Sequence, residues 1–150
     1  VPAKIDKAAL SCLIPESTAK TSSYRLYSMS KLCNVLFAFQ LADKELQHGI
    51  IVNAVHPGTA VPTAIAKNTT LGKIVFFLTK PFTKTIQCGA STIVYCAVHP
   101  DVQTITGRYF EDNWYSEKRL DRKRARNETL QNVLWQESER LIAVFEPKTA

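Results

Sequence analysis

Tyr24-Arg-Leu-Tyr27-Ser-Met-Ser-Lys31-Leu-Cys-Asn34 opens a stretch free of proline and glycine that runs to Gln47, and Gly49-Ile-Ile-Val-Asn-Ala-Val55-His-Pro-Gly58 follows. Within the first part Leu32, Leu36 and Phe39 make one apolar stripe, with Cys33, Phe37 and Leu41 beside it. That spacing predicts a long, largely buried helix from about Tyr24 to Gln47. Gly49 ends it, because glycine takes the left-handed conformation that closes a helix without a steric penalty. The mostly apolar run Ile50 to Val55 suits a short strand covered on both faces. A helix leading straight into such a strand implies a parallel α/β sheet. His56, Pro57 and Gly58 break the strand at its C-terminal end, where open α/β sheets hold their ligands, so a site is expected there.

Farther along, Ile86, Ala90, Ile93 and Ala97 recur at helical spacing within Thr85 to Val98. His99-Pro100-Asp101 stop that helix, and Gly107-Arg-Tyr-Phe110 begins a second strand, completing a second helix-to-strand unit. Asn127 is an N-cap candidate for a closing helix whose Leu130, Leu134, Leu141 and Phe145 fall on one face. Residues 1–23, with Pro2, Pro15 and a Ser/Thr-rich stretch, read as a surface loop. Residues 59–81 read as irregular, with a short helix near Leu71 to Leu78 ended by Pro81. An excursion of that length is often a substrate lid. There are no internal repeats and no low-complexity segments.

Chemistry enters with Tyr27 and Lys31, four residues apart and so on one helix face within mutual reach. A phenol with a pKa of about 10 is a poor proton donor or acceptor near neutrality, but an adjacent positive charge favours the phenolate. The pair thus suits a proton shuttle that protonates a carbonyl oxygen in reduction or deprotonates a hydroxyl in oxidation. Alone, Tyr-x-x-x-Lys occurs by chance in many chains; the buried helix, the strand after it and Pro57-Gly58 give it meaning.

Composition narrows the alternatives. The formal net charge of +6 collects mainly in Lys118, Arg119, Arg122, Lys123, Arg124 and Arg126, with Asp121 among them, as on a solvated face or loop. No zinc-finger spacing, RNA-recognition signature or helix-turn-helix pattern accompanies it, so no nucleic-acid partner is expected. The four cysteines, Cys12, Cys33, Cys88 and Cys96, form no C-x-x-C pair and mostly sit among apolar residues, as buried free thiols do. Cys33 reads as a packing residue, on a different helical face from Lys31. His48, His56 and His99 lack metal-spaced partners, which leaves turn or structural roles and no metal. Glu111, Asp112 and Glu117 read as a polar loop after a strand. No apolar stretch reaches the roughly 20 residues of a membrane span, and no secretory core is present at the N-terminus, so the chain reads as cytoplasmic. Ile74-Val-Phe-Phe-Leu78, flanked by Lys73, Lys80 and Lys84, suits a buried lid over an apolar pocket and also allows peripheral membrane contact through residues 73–84.

Tyr27-Ser-Met-Ser-Lys-Leu-Cys-Asn34 followed by Val52-Asn-Ala-Val-His-Pro-Gly58 resembles the catalytic helix and next strand of the short-chain dehydrogenases/reductases, in their retinol-dehydrogenase-like branch. The resemblance runs from about Ser23 to Ala143. It implies an α/β fold, the C-terminal part of a Rossmann-type doubly wound parallel sheet with its N-terminal half missing, so that residues 1–150 form a partial domain. It further implies NAD or NADP as cofactor, Tyr27 as catalytic acid/base, and Lys31 as its activator and as a contact to the nicotinamide ribose. Pro57, Gly58 and either Thr59 or Thr63 would line the nicotinamide. The family's Pro-Gly-x-Val-x-Thr is here Pro57-Gly-Thr-Ala-Val-Pro-Thr63, one residue longer, which leaves the two threonines as rivals. The implied substrate is a hydrophobic alcohol or carbonyl compound such as a retinoid, steroid or lipid aldehyde, and the catalytic helix is a site for homodimerisation. The family's glycine-rich Thr-Gly-x-x-x-Gly-x-Gly turn, its Asn-Asn-Ala-Gly segment and its serine-bearing strand all precede the catalytic tyrosine and have no room here. Ser22, Ser23 and Ser28 lie too near Tyr27 in sequence to replace that serine. The chain therefore reads as a fragment with an unpaired sheet edge, inactive on its own. The alternative is a non-catalytic module of this fold that binds a partner protein.

Overall fold

A computed structural model describes residues 6–15, 17–58 and 86–145. Its first element corrects the expectation of a plain loop before Ser23. Asp6 accepts hydrogen bonds from the Ala8 and Ala9 amides and caps a short helix, α1 (Lys7–Ser11). Good helix formers at Ala8, Ala9 and Leu10 sustain that turn once it is capped. Behind it Leu13 is buried against Leu36 and Leu130, with Ala9, Leu32, Cys33 and Leu134 around them.

The long helix is α2 (Ser23–Glu45), started by the Ser22 hydroxyl, which accepts from the Arg25 amide. It passes into a turn of 3-10 helix, Leu46–His48, closed by Gly49 at φ 71°, the left-handed cap that the sequence called for. Only Leu36, Phe39 and Ala42 of α2 are buried, so the helix is not largely buried as its composition suggested. The Leu32-Leu36-Phe39 stripe does face the core. Of the second stripe, Cys33 packs at its edge, while Phe37 stays partly exposed and stacks on Trp135 with ring centroids 5.2 Å apart.

The strand after α2 is β1 (Ala54–His56), shorter than the apolar run and half-buried throughout. Ile50 and Ile51, expected under cover, are exposed. Two helix-to-strand units are present: α3 (Ile86–Val98), followed by the single turn Pro100–Val102, leads to β2 (Tyr109–Glu111). β2 lies parallel to β1, with Ala54 opposite Tyr109 and His56 opposite Glu111. The Val52 carbonyl and Ala54 amide bond to the Gly107 amide and Arg108 carbonyl, at 2.8 and 2.9 Å. Asn53 ties the same loop through its side chain, donating to the Ile105 carbonyl and accepting from the Arg108 amide.

The sheet is not purely parallel. β3 (Trp114–Tyr115) folds back antiparallel on β2, giving the order β1-β2-β3. The turn between them is Asp112-Asn113, both at positive φ (56° and 59°), the conformation a two-residue hairpin needs and Asp and Asn tolerate. The Asn113 amide donates to the buried Thr92 hydroxyl, pinning the hairpin to α3. That contact turns α3 so that Thr92 faces inward, while Ala90, Ile93 and Ala97 of the expected inward stripe lie exposed.

Arg122–Ala125 forms the short helix α4, and Asn127 caps α5 (Glu128–Phe145) by accepting from the Leu130 amide at 3.0 Å. α5 packs along α2 through Leu130 and Leu134, and its last apolar positions, Leu141 and Phe145, are exposed. A second cluster joins Phe39, Tyr109 and Ala125, with Leu32, Val35, Ala54 and Leu120 against it. Arg126 lies over the Phe39 ring, 3.8 Å from its centroid, and donates to the Gly107 carbonyl and to Glu117. The basic cluster is thus largely ion-paired: Arg119 with Glu111, Arg122 and Arg126 with Glu117, Arg124 with Asp121. Among the described residues no helix is long and apolar enough to cross a membrane.

Candidate active site

The first turns of α2 stand out from the core, and their exposure makes Tyr27 available. Tyr27 is 54% exposed. One turn on, the Lys31 ammonium sits over the Tyr27 ring, 5.4 Å from its centroid, as the four-residue spacing requires. The contact is with the face of the ring, and no hydrogen bond joins Nζ to the hydroxyl. The neighbouring serines are otherwise engaged. Ser28 donates to the Tyr24 carbonyl at 2.9 Å, Ser30 to the Tyr27 carbonyl at 2.7 Å, and the Ser22 hydroxyl caps the helix. None is hydrogen-bonded to the phenol.

Lys31 also borders a cleft of about 490 Å³ between α2, β2 and the start of α4. Arg25, Ser28, Leu32 and Val35 line one wall; Tyr109, Leu120, Asp121 and Arg124 line the other. Tyr27 is not part of that lining. The floor is apolar and the rim carries three cations, Arg25, Lys31 and Arg124, with one carboxylate, Asp121, which already pairs with Arg124. Such a rim suits a ligand with an apolar body and a hydroxyl-rich or anionic end. Burial, aided by Glu111 and opposed by Arg119, pushes the Tyr109 phenol above its usual range, so this tyrosine stays a neutral wall.

Pro57 and Gly58 lie at the C-terminal end of β1, as expected. Gly58 is buried at φ 88°, and its amide donates to His56 Nδ1 at 2.9 Å. Beside them Glu111 is 6% exposed, 2.7 Å from the Arg119 guanidinium and 3.5 Å from the His56 ring. Thr59 and Thr63, the rival nicotinamide contacts, lie outside the described residues, as do the lid segment and the apolar run within residues 73–84. The structure brings Tyr27 and Lys31 together. No hydrogen bond or ion pair among the described residues joins them to Pro57 or Gly58.

Other sequence expectations divide. Each histidine serves a turn or a local pair: His48 with Glu45, His56 with Gly58, and His99, whose ring accepts from the Asp101 amide. No metal-competent cluster occurs among the described residues. None of the four cysteines is fully buried, and Cys12 and Cys88 are exposed. Cys33 packs against the core, and burial raises its thiol's pKa. Glu111 is no loop residue but part of β2. Burial works to raise the pKa of Glu117, but the hydrogen bond from Arg126 and the charges of Arg126, Arg122 and Arg108 outweigh it, so the carboxyl titrates below its usual range. Sequence reasoning missed Arg25 and the far wall of the cleft. Arg25, Ser28, Leu32 and Val35 share a helical stripe that could have been read; Tyr109 and Arg124 come from distant segments that only folding brings near.

With this geometry in view, comparison with known proteins relates the chain to oxidoreductases of the short-chain dehydrogenase/reductase family. It is 40% identical to the WW domain-containing oxidoreductase of Gallus gallus over 116 residues, which are 77% of this chain and 27% of that protein. It is 38% identical to the WW domain-containing oxidoreductase of Drosophila melanogaster over 121 residues, 81% of this chain and 29% of the relative. Retinol dehydrogenase 12 of Mus musculus matches at 35% over 121 residues, 79% of this chain and 36% of that enzyme. The chain spans between about a quarter and a third of these relatives' length. No family model and no solved structure matches it.

Proposed function

We propose that this chain carries the proton-transfer half of an NAD(P)-dependent oxidoreductase that interconverts an alcohol and a carbonyl on a hydrophobic substrate such as a retinoid, steroid or lipid aldehyde. The observation that carries the reading is the exposed Tyr27 phenol with the Lys31 ammonium over its ring. Relatives named as oxidoreductases and dehydrogenases support it.

The residues present fit the nicotinamide-ribose end of the cofactor. Lys31 offers three N–H donors at the rim of a cleft with an apolar floor, and Gly58 gives a side-chain-free backbone at the strand end. When bound, NAD(P) supplies or accepts the hydride. Tyr27 would give its phenolic proton to the carbonyl oxygen in reduction and take the hydroxyl proton in oxidation. Lys31 would favour negative charge developing on the phenol and hold the ribose hydroxyls. Pro57, Gly58 and Thr59 or Thr63 would flank the nicotinamide. A hydrophobic small molecule is the proposed partner, with a homodimer through α2 and a peripheral membrane contact through residues 73–84. The chain holds no glycine-rich dinucleotide turn of its own, and for that reason the isolated chain is proposed to be inactive.

The test is to titrate NADH and NADPH separately into the purified chain, following nicotinamide fluorescence and thermal melting, with Tyr27→Phe in parallel for turnover of retinal. Saturable binding with turnover that Tyr27→Phe abolishes supports residual activity. Binding without turnover fits the inactive fragment. A chain that melts cooperatively and binds neither nucleotide counts against the ribose-end contacts proposed for Lys31 and Gly58 in the isolated chain. It would favour the second reading, a non-catalytic interaction module, for which the exposed Ile93, Val94 and Val98 of α3 supply the apolar surface.

A further inference from the structure

The turn that ends β1 is held by a side chain of its own strand. Gly58 donates its amide to His56 Nδ1, so that nitrogen carries no proton and the ring is the neutral tautomer protonated at Nε2. Glu111 Oε1 faces the same nitrogen at 3.5 Å and has no hydrogen to accept from it in this state. Its bond is with Arg119, at 2.7 Å. A proton on Nδ1 reverses both relations: the ring then opposes an N–H to the Gly58 amide and offers one to a buried carboxylate.

We propose that His56 is the positioning residue of the Pro57-Gly58 turn, and that protonation of its ring transfers the ring to Glu111 and releases the turn. The surroundings leave Glu111 as the acceptor. On β2 the only other titratable neighbour is the Tyr109 ring, with centroids 6.3 Å apart. Arg119 opposes the added proton but is itself held by Glu111, which keeps a carboxylate between the two cations. α3, which packs on β1, carries no Asp, Glu, Lys, Arg or His; its titratable groups are Cys88, Tyr95 and Cys96, and Tyr95 stacks on His99. α2, which also packs on β1, carries Tyr24, Arg25, Tyr27, Lys31 and Cys33 toward its start and Asp43, Lys44 and Glu45 toward its end, and no hydrogen bond or ion pair among the described residues joins any of them to His56. Gly58 is buried, so its amide needs a partner, and His56 Nδ1 supplies it. The consequence for a nicotinamide rests on the proposed function; the turn itself does not.

The test is heteronuclear NMR on the full chain from pH 8 down to pH 5. At pH 8 the His56 nitrogens should report the Nε2–H tautomer. As the ring titrates, exchange protection at the Gly58 amide, referred to its intrinsic rate, should fall by about fivefold, the size one net hydrogen bond supports. Gly107, whose amide bonds to the Val52 carbonyl, should keep its protection. His56→Asn retains an oxygen that accepts from the residue two positions on and cannot be protonated, so its Gly58 protection should be flat with pH. His56→Phe should lack protection throughout, and if it does not fold, the wild-type and Asn titrations decide. An Nδ1–H tautomer at pH 8, or Gly58 protection indifferent to ring titration, overturns the proposal. NADH affinity that falls with pH in the wild type and stays flat in His56→Asn extends the switch to the cofactor. A working Gly58 switch in a chain that binds no NADH leaves the turn mechanism standing and counts only against the cofactor contact.

Discussion

The two helices that feed the strands have opposite fates. The second half of α2 is enclosed by α1, α5, β2 and α4, and its Leu36, Phe39 and Ala42 are buried in two clusters. α3 is the more apolar of the two, yet Ile93, Val94 and Val98 are exposed, and beside it Ile50 and Ile51 flank a strand with no partner on its outer edge among the described residues. Apolar periodicity therefore says which face of a helix wants cover, and a neighbouring element decides whether it gets any. The same contrast runs within α2, whose free N-terminal turns leave Tyr27 and Lys31 accessible.

The contrast can be broken where it should be strongest. Phe39→Ala removes a fully enclosed ring that also seats the Arg126 guanidinium and is expected to cost about 3–5 kcal/mol, read as a drop in the urea midpoint. Next, Arg126→Met should cost about 2 kcal/mol, because it deletes the cation–π contact and strips the Gly107 carbonyl and Glu117 of a donor. Glu117 sharpens the point through pH. Its folded pKa lies below the ordinary 4.5, so its stabilisation is present above that pH and is lost as pH falls through the lower folded value. Glu117→Gln should therefore lower stability at pH 7 by roughly 1 kcal/mol and flatten the acid limb of a midpoint-against-pH curve. Smallest is the change at the open face: Ile93→Lys should alter the urea midpoint by less than about 0.5 kcal/mol in equivalent stability. A larger loss there would mean that the α3 face is covered in solution.

Much of the frame was readable because it depends on neighbours in sequence. Gly49 closes its helix at positive φ, Asn127 caps α5, and His99-Pro100 stops α3, each through a bond or steric limit spanning a few residues. The Tyr27/Lys31 pair belongs to the same category. Where the sequence misled, either a local signal was passed over or the deciding partner was remote. A capped turn at Asp6 made a helix of an expected loop, and the Asp112-Asn113 hairpin added an antiparallel strand. Thr92, bound to that hairpin, turned inward in place of Ile93.

Local pattern alone determined the helix-strand-helix-strand order, the parallel pairing that order implies, and the placement of a phenol and an ammonium on one exposed helical face. Tertiary structure decided which apolar stripes became core. It also drew Glu111 and Arg119 to His56, and built the cleft wall of Tyr109 and Arg124 opposite Lys31. The division follows from range: caps, turns and four-residue spacings are settled within one or two helical turns, whereas core burial and the approach of Glu111 to His56 join segments far apart in sequence, such as Leu36 with Leu130.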